Sequence, residues 1–163
     1  MQFKSLALVA SAFVFAACGG SESAPADTAA TPAADAAAPA GPATAAAITG
    51  KTHEIKMIQD AQGYRFDPAN LTIKAGDGVK FIAVSGFPHN VVIDATTLTP
   101  AVKAQLDANF IVGKQDGMEL TSVMMVAANE SATVSFANVP AGAYNINCTP
   151  HLAMNMKGVI TVQ

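Results

Sequence analysis

The chain has 163 residues, with 9 Lys and Arg against 12 Asp and Glu and a formal charge of −3. Nothing in that balance resembles a nucleic-acid-binding surface, which concentrates positive charge. Hydrophobic residues reach 51% and charged residues 13%, but alanine supplies much of the apolar share in one region, so the folded part lies elsewhere.

Residues 1–17 carry an early lysine, Lys4, and then an apolar run from Leu6 to Ala17. The run is shorter than the ~20 residues a membrane-spanning helix needs, and it reads as a secretory signal peptide. Its ending, F-A-A-C followed by Gly-Gly, resembles a bacterial lipobox, in which the cysteine is lipidated and becomes the new N-terminus. Cys18 is therefore expected to anchor an exported, periplasmic or extracytoplasmic protein to a membrane. Ordinary cleavage nearby, leaving a soluble periplasmic protein, is the alternative. Residues 18–48 continue as an alanine, proline and threonine tract. It has nothing large to bury, and its prolines interrupt any helix. This is a linker, with a reach of ~30 Å if flexible.

Residues 49–163 suit a single domain. From Lys51 onward eight Lys and Arg face nine Asp and Glu, a formal charge of about −1. In chain order, "HEIKMIQ" reads as a strand. "LTIK" is a second, ended by the turn "AGDG", and "VKFIAVS" and "NVVID" follow. "TPAVKAQLDANF", Thr99 to Phe110, reads as a short helix with Thr99 as cap, Pro100 in the first turn and Val102 and Leu106 on one face. "SATVSF" alternates with Ala132, Val134 and Phe136 inward, "VPAG" turns, and "AYNINC" and "KGVITV" close the chain. Seven to eight short strands separated by glycine, proline and aspartate predict an all-β antiparallel sandwich with one short helix.

The soft ligands gather near the end, in "CTPHLAMNM", Cys148 to Met156. If Cys18 is lipidated, Cys148 has no disulfide partner, and a lone exported thiol needs to be buried or occupied. Strand parity puts Cys148 on the inward face with Tyr144 and Ile146. Pro150 stiffens the approach to His151. Of the other histidines, His53 beside Glu54 reads as an ordinary edge histidine. His89 heads a strand in "SGFPHNVVID", sharing parity with Val91 and Ile93. Two imidazoles, one thiolate and a weak thioether form the donor set of a blue-copper electron-transfer site. Zinc competes on ligand type, but its structural sites prefer four strong ligands. Parity alone leaves Met154 and Met156 both open as the thioether.

"FDPANLTIKAGDGVKFIAVSGFPHNVVID", Phe66 to Asp94, together with "PAGAYNINCTPHLAMNMKGVITV", Pro140 to Val162, resembles a plastocyanin, with loop wording closer to pseudoazurin. The stretch from Ala95 to Asn129 is poorly matched. The resemblance implies a cupredoxin-type Greek-key sandwich, one type 1 copper cycling between Cu+ and Cu2+, and one-electron transfer. It assigns His89, Cys148, His151 and Met156 as ligands, and the family's spacing favours Met156 over Met154 because "KGVITV" aligns with the final strand. It also makes Asn90, with Pro88 and Thr149, the support around the ligands, Asn90 bonding across to the cysteine loop. One departure is Asn147, where plant plastocyanins usually carry tyrosine; their acidic patch is missing too, so photosystem partners are not implied.

The expected function is therefore a membrane-tethered, monomeric electron carrier that is not an enzyme and exchanges electrons with redox proteins. Phe87, Leu152, Ala153 and Met154 would form an apolar docking rim. A copper chaperone or storage protein is the alternative, suggested by the methionines.

Overall fold

The protein is described by a computed structural model covering residues 43–163. The stretch expected to be a signal segment (1–17), the expected lipidation site Cys18 and most of the expected linker lie outside the described residues. Alternation of apolar and polar side chains builds nine strands: β1 (Thr52–Asp60), β2 (Gly63–Asp67), β3 (Asn70–Ile73), β4 (Gly78–Ala83), β5 (Val92–Ile93), β6 (Phe110–Val112), β7 (Ser131–Ser135), β8 (Gly142–Asn147) and β9 (Lys157–Val162). They form a five-stranded sheet in the order β2-β1-β4-β7-β6 and a four-stranded sheet in the order β3-β9-β8-β5. Val79, Phe81 and Ala83 of β4, Ala132 and Val134 of β7, Tyr144 and Ile146 of β8, and Ile160 and Val162 of β9 are buried in one shared core. Each large apolar side chain so buried contributes about 1.5–3 kcal/mol relative to exposure.

The all-β sandwich with one short helix is as expected from the sequence, but the sheets are mixed. β1 and β4 run parallel, and so do β3 and β9. The cause is connectivity. β1 and β2 form a hairpin, turning at Gly63 with φ +102°. The chain then passes to the second sheet for β3 and returns for β4, which lies along β1 in the same direction. β2 and β6 were not foreseen. "GYRFD" mixes glycine, arginine and aspartate into its alternation, and "FIV" is only three residues long.

The helix α1 (Pro100–Ala108) starts where expected: the Val102 amide donates to Thr99 Oγ1, Pro100 fills the first turn and Leu106 is fully buried. Asn109 follows it and is also fully buried. Its Oδ1 accepts from the Ala46 amide and from Gln105 Nε2, and its Nδ2 donates to the carbonyls of Ser135 and Ala137, all at 2.9 Å. This one side chain ties residues 43–48 to α1 and to the end of β7.

Two poles result. At one, Asp77 before β4 accepts from the Lys51 amide (2.8 Å), the Lys74 amide (3.1 Å) and His53 Nε2 (2.8 Å). Those three donors hold its carboxyl down to about 2. The amides of Thr49 and Gly50 donate to the Gly76 carbonyl at the same pole. Gly50 is required here, because a Cβ would come within 2.1 Å of Asp77 Oδ1. The other pole begins at Ser85, two residues past the end of β4 and eight residues of chain from Asp77, at most about 26 Å at 3.3 Å per residue. No helix among the described residues is long and apolar enough to cross a membrane.

Candidate metal centre

His89 is positioned by a two-way backbone bridge. Its amide donates to the Met125 carbonyl (2.9 Å), and the Met125 amide donates back (2.7 Å). Its ring is fixed as well: Nε2–H donates to the Ser85 carbonyl at 2.8 Å. That bond leaves Nδ1 as the ring's free lone pair, which is how a ligating histidine is usually oriented. Cys148 directly follows β8 and is fully buried, and its amide donates to the Met156 carbonyl (3.2 Å). A tight turn then returns the His151 amide to the Cys148 carbonyl (3.2 Å) before a 3-10 turn over Leu152–Met154.

The outcome is convergence. Cys148 Sγ lies 3.7 Å from His89 Nδ1 and 3.5 Å from His151 Nδ1. The three ligand atoms all fall within 4.8 Å of one another. His89 and Cys148 are 0% exposed and His151 is 4% exposed. Burial lowers the pKa of both imidazoles, with the neighbouring His89 lowering His151 further. Burial also raises the Cys148 thiol, offset in part by the backbone N–H groups of Asn90 and His151. The metal-free pocket therefore favours neutral groups, with two ring nitrogens and a sulfur directed at one point. Such a set is matched by a soft-tolerant cation, and among the described residues no fourth Cys, His or carboxylate joins it to complete a structural zinc site.

Around this cluster, Asn90 Oδ1 accepts from the Thr149 amide at 2.8 Å and Nδ2 donates to Thr149 Oγ1 at 3.3 Å. The residue after one histidine thus grips the residue after the cysteine. Met156 is fully buried, whereas Met154 is 49% exposed. Phe87 sets its edge on His89 with centroids 6.2 Å apart, and Pro88 beside it is exposed. Leu152, Ala153 and Met154 are exposed. His53, expected as an ordinary edge histidine, pairs with Asp77 at the far pole.

Sequence reasoning missed the part played by four neighbours. Tyr64 of β2 stacks on His151 with ring centroids 3.8 Å apart and planes 18° apart. Val84 follows β4, and Met124 and Val126 flank Met125; all three are exposed. In the run "VMMV", Val123 to Val126, Met125 is buried and paired with His89 while Met124 is exposed.

The family model of copper-binding proteins of the plastocyanin/azurin family matches residues 52–163, nearly all of this sandwich. The chain belongs to that family. Its relatives include plastocyanin of Nostoc punctiforme, 33% identical over 71% of this chain and 76% of the relative. Plastocyanin of Scenedesmus fuscus is 33% identical over 67% of this chain and 97% of its own. Among solved structures, oxidised plastocyanin of the fern Dryopteris crassirhizoma superposes with a TM-score of 0.51 at 27% identity, covering 68% of this chain and all of the fern protein. The family binds copper, and the His89, Cys148 and His151 cluster fits a single copper ion in donor type, convergence and burial.

Proposed function

We propose that the protein is a membrane-tethered one-electron carrier whose type 1 copper is held by His89, Cys148 and His151, with Met156 as weak axial donor. The observation that carries this reading is the buried convergence of two imidazole nitrogens and one thiol. Copper, when bound, supplies a Cu(II)/Cu(I) couple. The protein's part is to hold its ligands still. His89 is locked by Met125 and Ser85, and Cys148 by the Met156 carbonyl and by the grip of Asn90 on Thr149. A scaffold that does not rearrange between charge states suits rapid exchange, since little has to be reorganised. Burial of all three ligands leaves no wide approach for a substrate, which favours a carrier over an enzyme. Burial of Met156 against the exposure of Met154 supports Met156 as the axial donor. Phe87, Leu152, Ala153 and Met154 form the rim on which donor and acceptor proteins dock, the monomeric domain being held near a membrane by lipid on Cys18.

The test is the visible spectrum of copper-loaded protein. An intense blue band is expected, lost in Cys148→Ser because the colour is thiolate-to-copper charge transfer; a blue Cys148→Ser would refute the ligand set. Release of Cys18→Ser from the membrane fraction, with the spectrum retained, tests the tether. A chaperone or storage role is the second reading, favoured by the exposed thioethers of Met124 and Met154. It requires copper to leave on reduction, so repeated redox cycling without loss sets it aside.

A further inference from the structure

The two histidines are held by different devices. His89 has its outer nitrogen bonded to the Ser85 carbonyl. His151 has no such partner: among the described residues no side-chain or backbone group bonds its Nε2, and its 3-10 turn has no side-chain cap. What lies against its ring is Tyr64, stacked at 3.8 Å and 18°. The Tyr64 ring also stands edge-on to His89 at 6.4 Å, so it spans both imidazoles. Space for it is built in. Gly86 has φ +76°, and a Cβ there would come within 2.9 Å of Tyr64 Cε1 and 2.4 Å of Gln59 Cβ. Tyr64 itself is placed by β-sheet register, opposite Gln59 on β1.

We propose that Tyr64 is a positioning residue for the copper centre, its ring fixing the plane of His151 where a hydrogen bond fixes that of His89. The terminal torsion of a histidine is broad and has no steep intrinsic minimum. An imidazole whose outer nitrogen meets only solvent is not held in one plane, and would sample rotated positions in which Nδ1 no longer faces Sγ. A parallel ring at van der Waals distance removes that freedom. The inference rests on the copper reading above, but it concerns this chain's own aromatic pair.

The test uses the copper-loaded full chain with Tyr64→Leu and Tyr64→Phe. Tyr64→Phe keeps the stack and is expected to match wild type. Tyr64→Leu is expected to stay blue but to lose copper to a chelator about two- to tenfold faster, the range an aromatic pair confers. In the diamagnetic Cu(I) form, NMR should show its His151 ring signals broadened while those of His89 stay sharp. If Tyr64→Leu does not fold, Tyr64→Val, suited to an edge strand, takes its place. Wild-type copper loss and a sharp His151 in the truncated variant would overturn the role. Equal broadening of His89, or equal impairment in Tyr64→Phe, would also overturn it, pointing to general loosening or to the hydroxyl. A colourless copper-loaded wild type would instead bring down the copper reading, and this role with it.

Discussion

Asn90→Ala separates the stability of the fold from the quality of the metal site. The substitution removes a 2.8 Å bond from the Thr149 amide and a 3.3 Å bond to its hydroxyl. The longer bond is at the weak end of the range, and Thr149 is exposed, so water can replace the lost acceptor. The metal-free domain should then lose about 1 kcal/mol, or about 4 °C in Tm for a domain of this size. Copper affinity should fall much further in proportion. Asn90 joins the residue after His89 to the residue after Cys148, and partners that orient ligands are typically worth 10- to 100-fold in affinity, about 1.4–2.7 kcal/mol. Calorimetry of the metal-free protein and competition titration against a Cu(I) chelator measure the two quantities. Thr149→Val, which deletes only the longer bond, should change affinity by less than about threefold. A Tm loss above about 10 °C with unchanged affinity would refute the reasoning, since Asn90 would then be supporting the sandwich and not the site.

Met156→Leu should stay blue with a raised reduction potential, because loss of a weak donor favours Cu(I); Met154→Leu should leave the potential unchanged, and voltammetry showing the reverse would move the axial role to Met154. The Asp77 carboxyl lies at about 2 in the folded protein against an ordinary 3.8, so it contributes stability that is present above 3.8 and lost as pH falls toward 2. Denaturation of metal-free protein should show that loss, and Asp77→Asn should be less stable at neutral pH and flatter across the same window. Leu152→Asp should slow electron exchange with a partner at least about fivefold, as expected for a docking residue worth 1 kcal/mol or more, with the copper spectrum retained. The domain's charge of about −1 predicts a weak salt dependence of that rate in stopped-flow measurements.

His151 and Met156 were singled out by their place in "CTPHLAMNM" and by the family resemblance, alternation leaving Met154 and Met156 both open, whereas Cys148 was legible because period-two alternation in "AYNINC" turns it inward. His89 was legible for the same reason, and α1 because threonine and proline mark its start. Other features depend on contacts distant in sequence. The parallel pairing of β1 with β4 follows from two crossings between sheets, which no local pattern encodes. Tyr64 reaches His151 across 87 positions of chain, from a strand whose arginine and aspartate hide its alternation. Within "VMMV" both methionines look alike, and only the bridge between His89 and Met125 decides which one is buried. Asn109 reads as an ordinary helix end, and its value lies in four partners from three separate segments.

The Asn109 tie also sets where the domain can be held. Residues 43–50 join the fold at the pole with Asp77, and Ser85, whose carbonyl holds His89, lies beyond the far end of β4, at most about 26 Å away. A support grafted at the N-terminal side would therefore leave the Phe87 and Leu152 face open to visiting proteins. The same grafting on an electrode would interpose the full length of the sandwich as a tunnelling gap, and direct current should be feeble. Attachment through a cysteine introduced near Leu152 would reverse both properties.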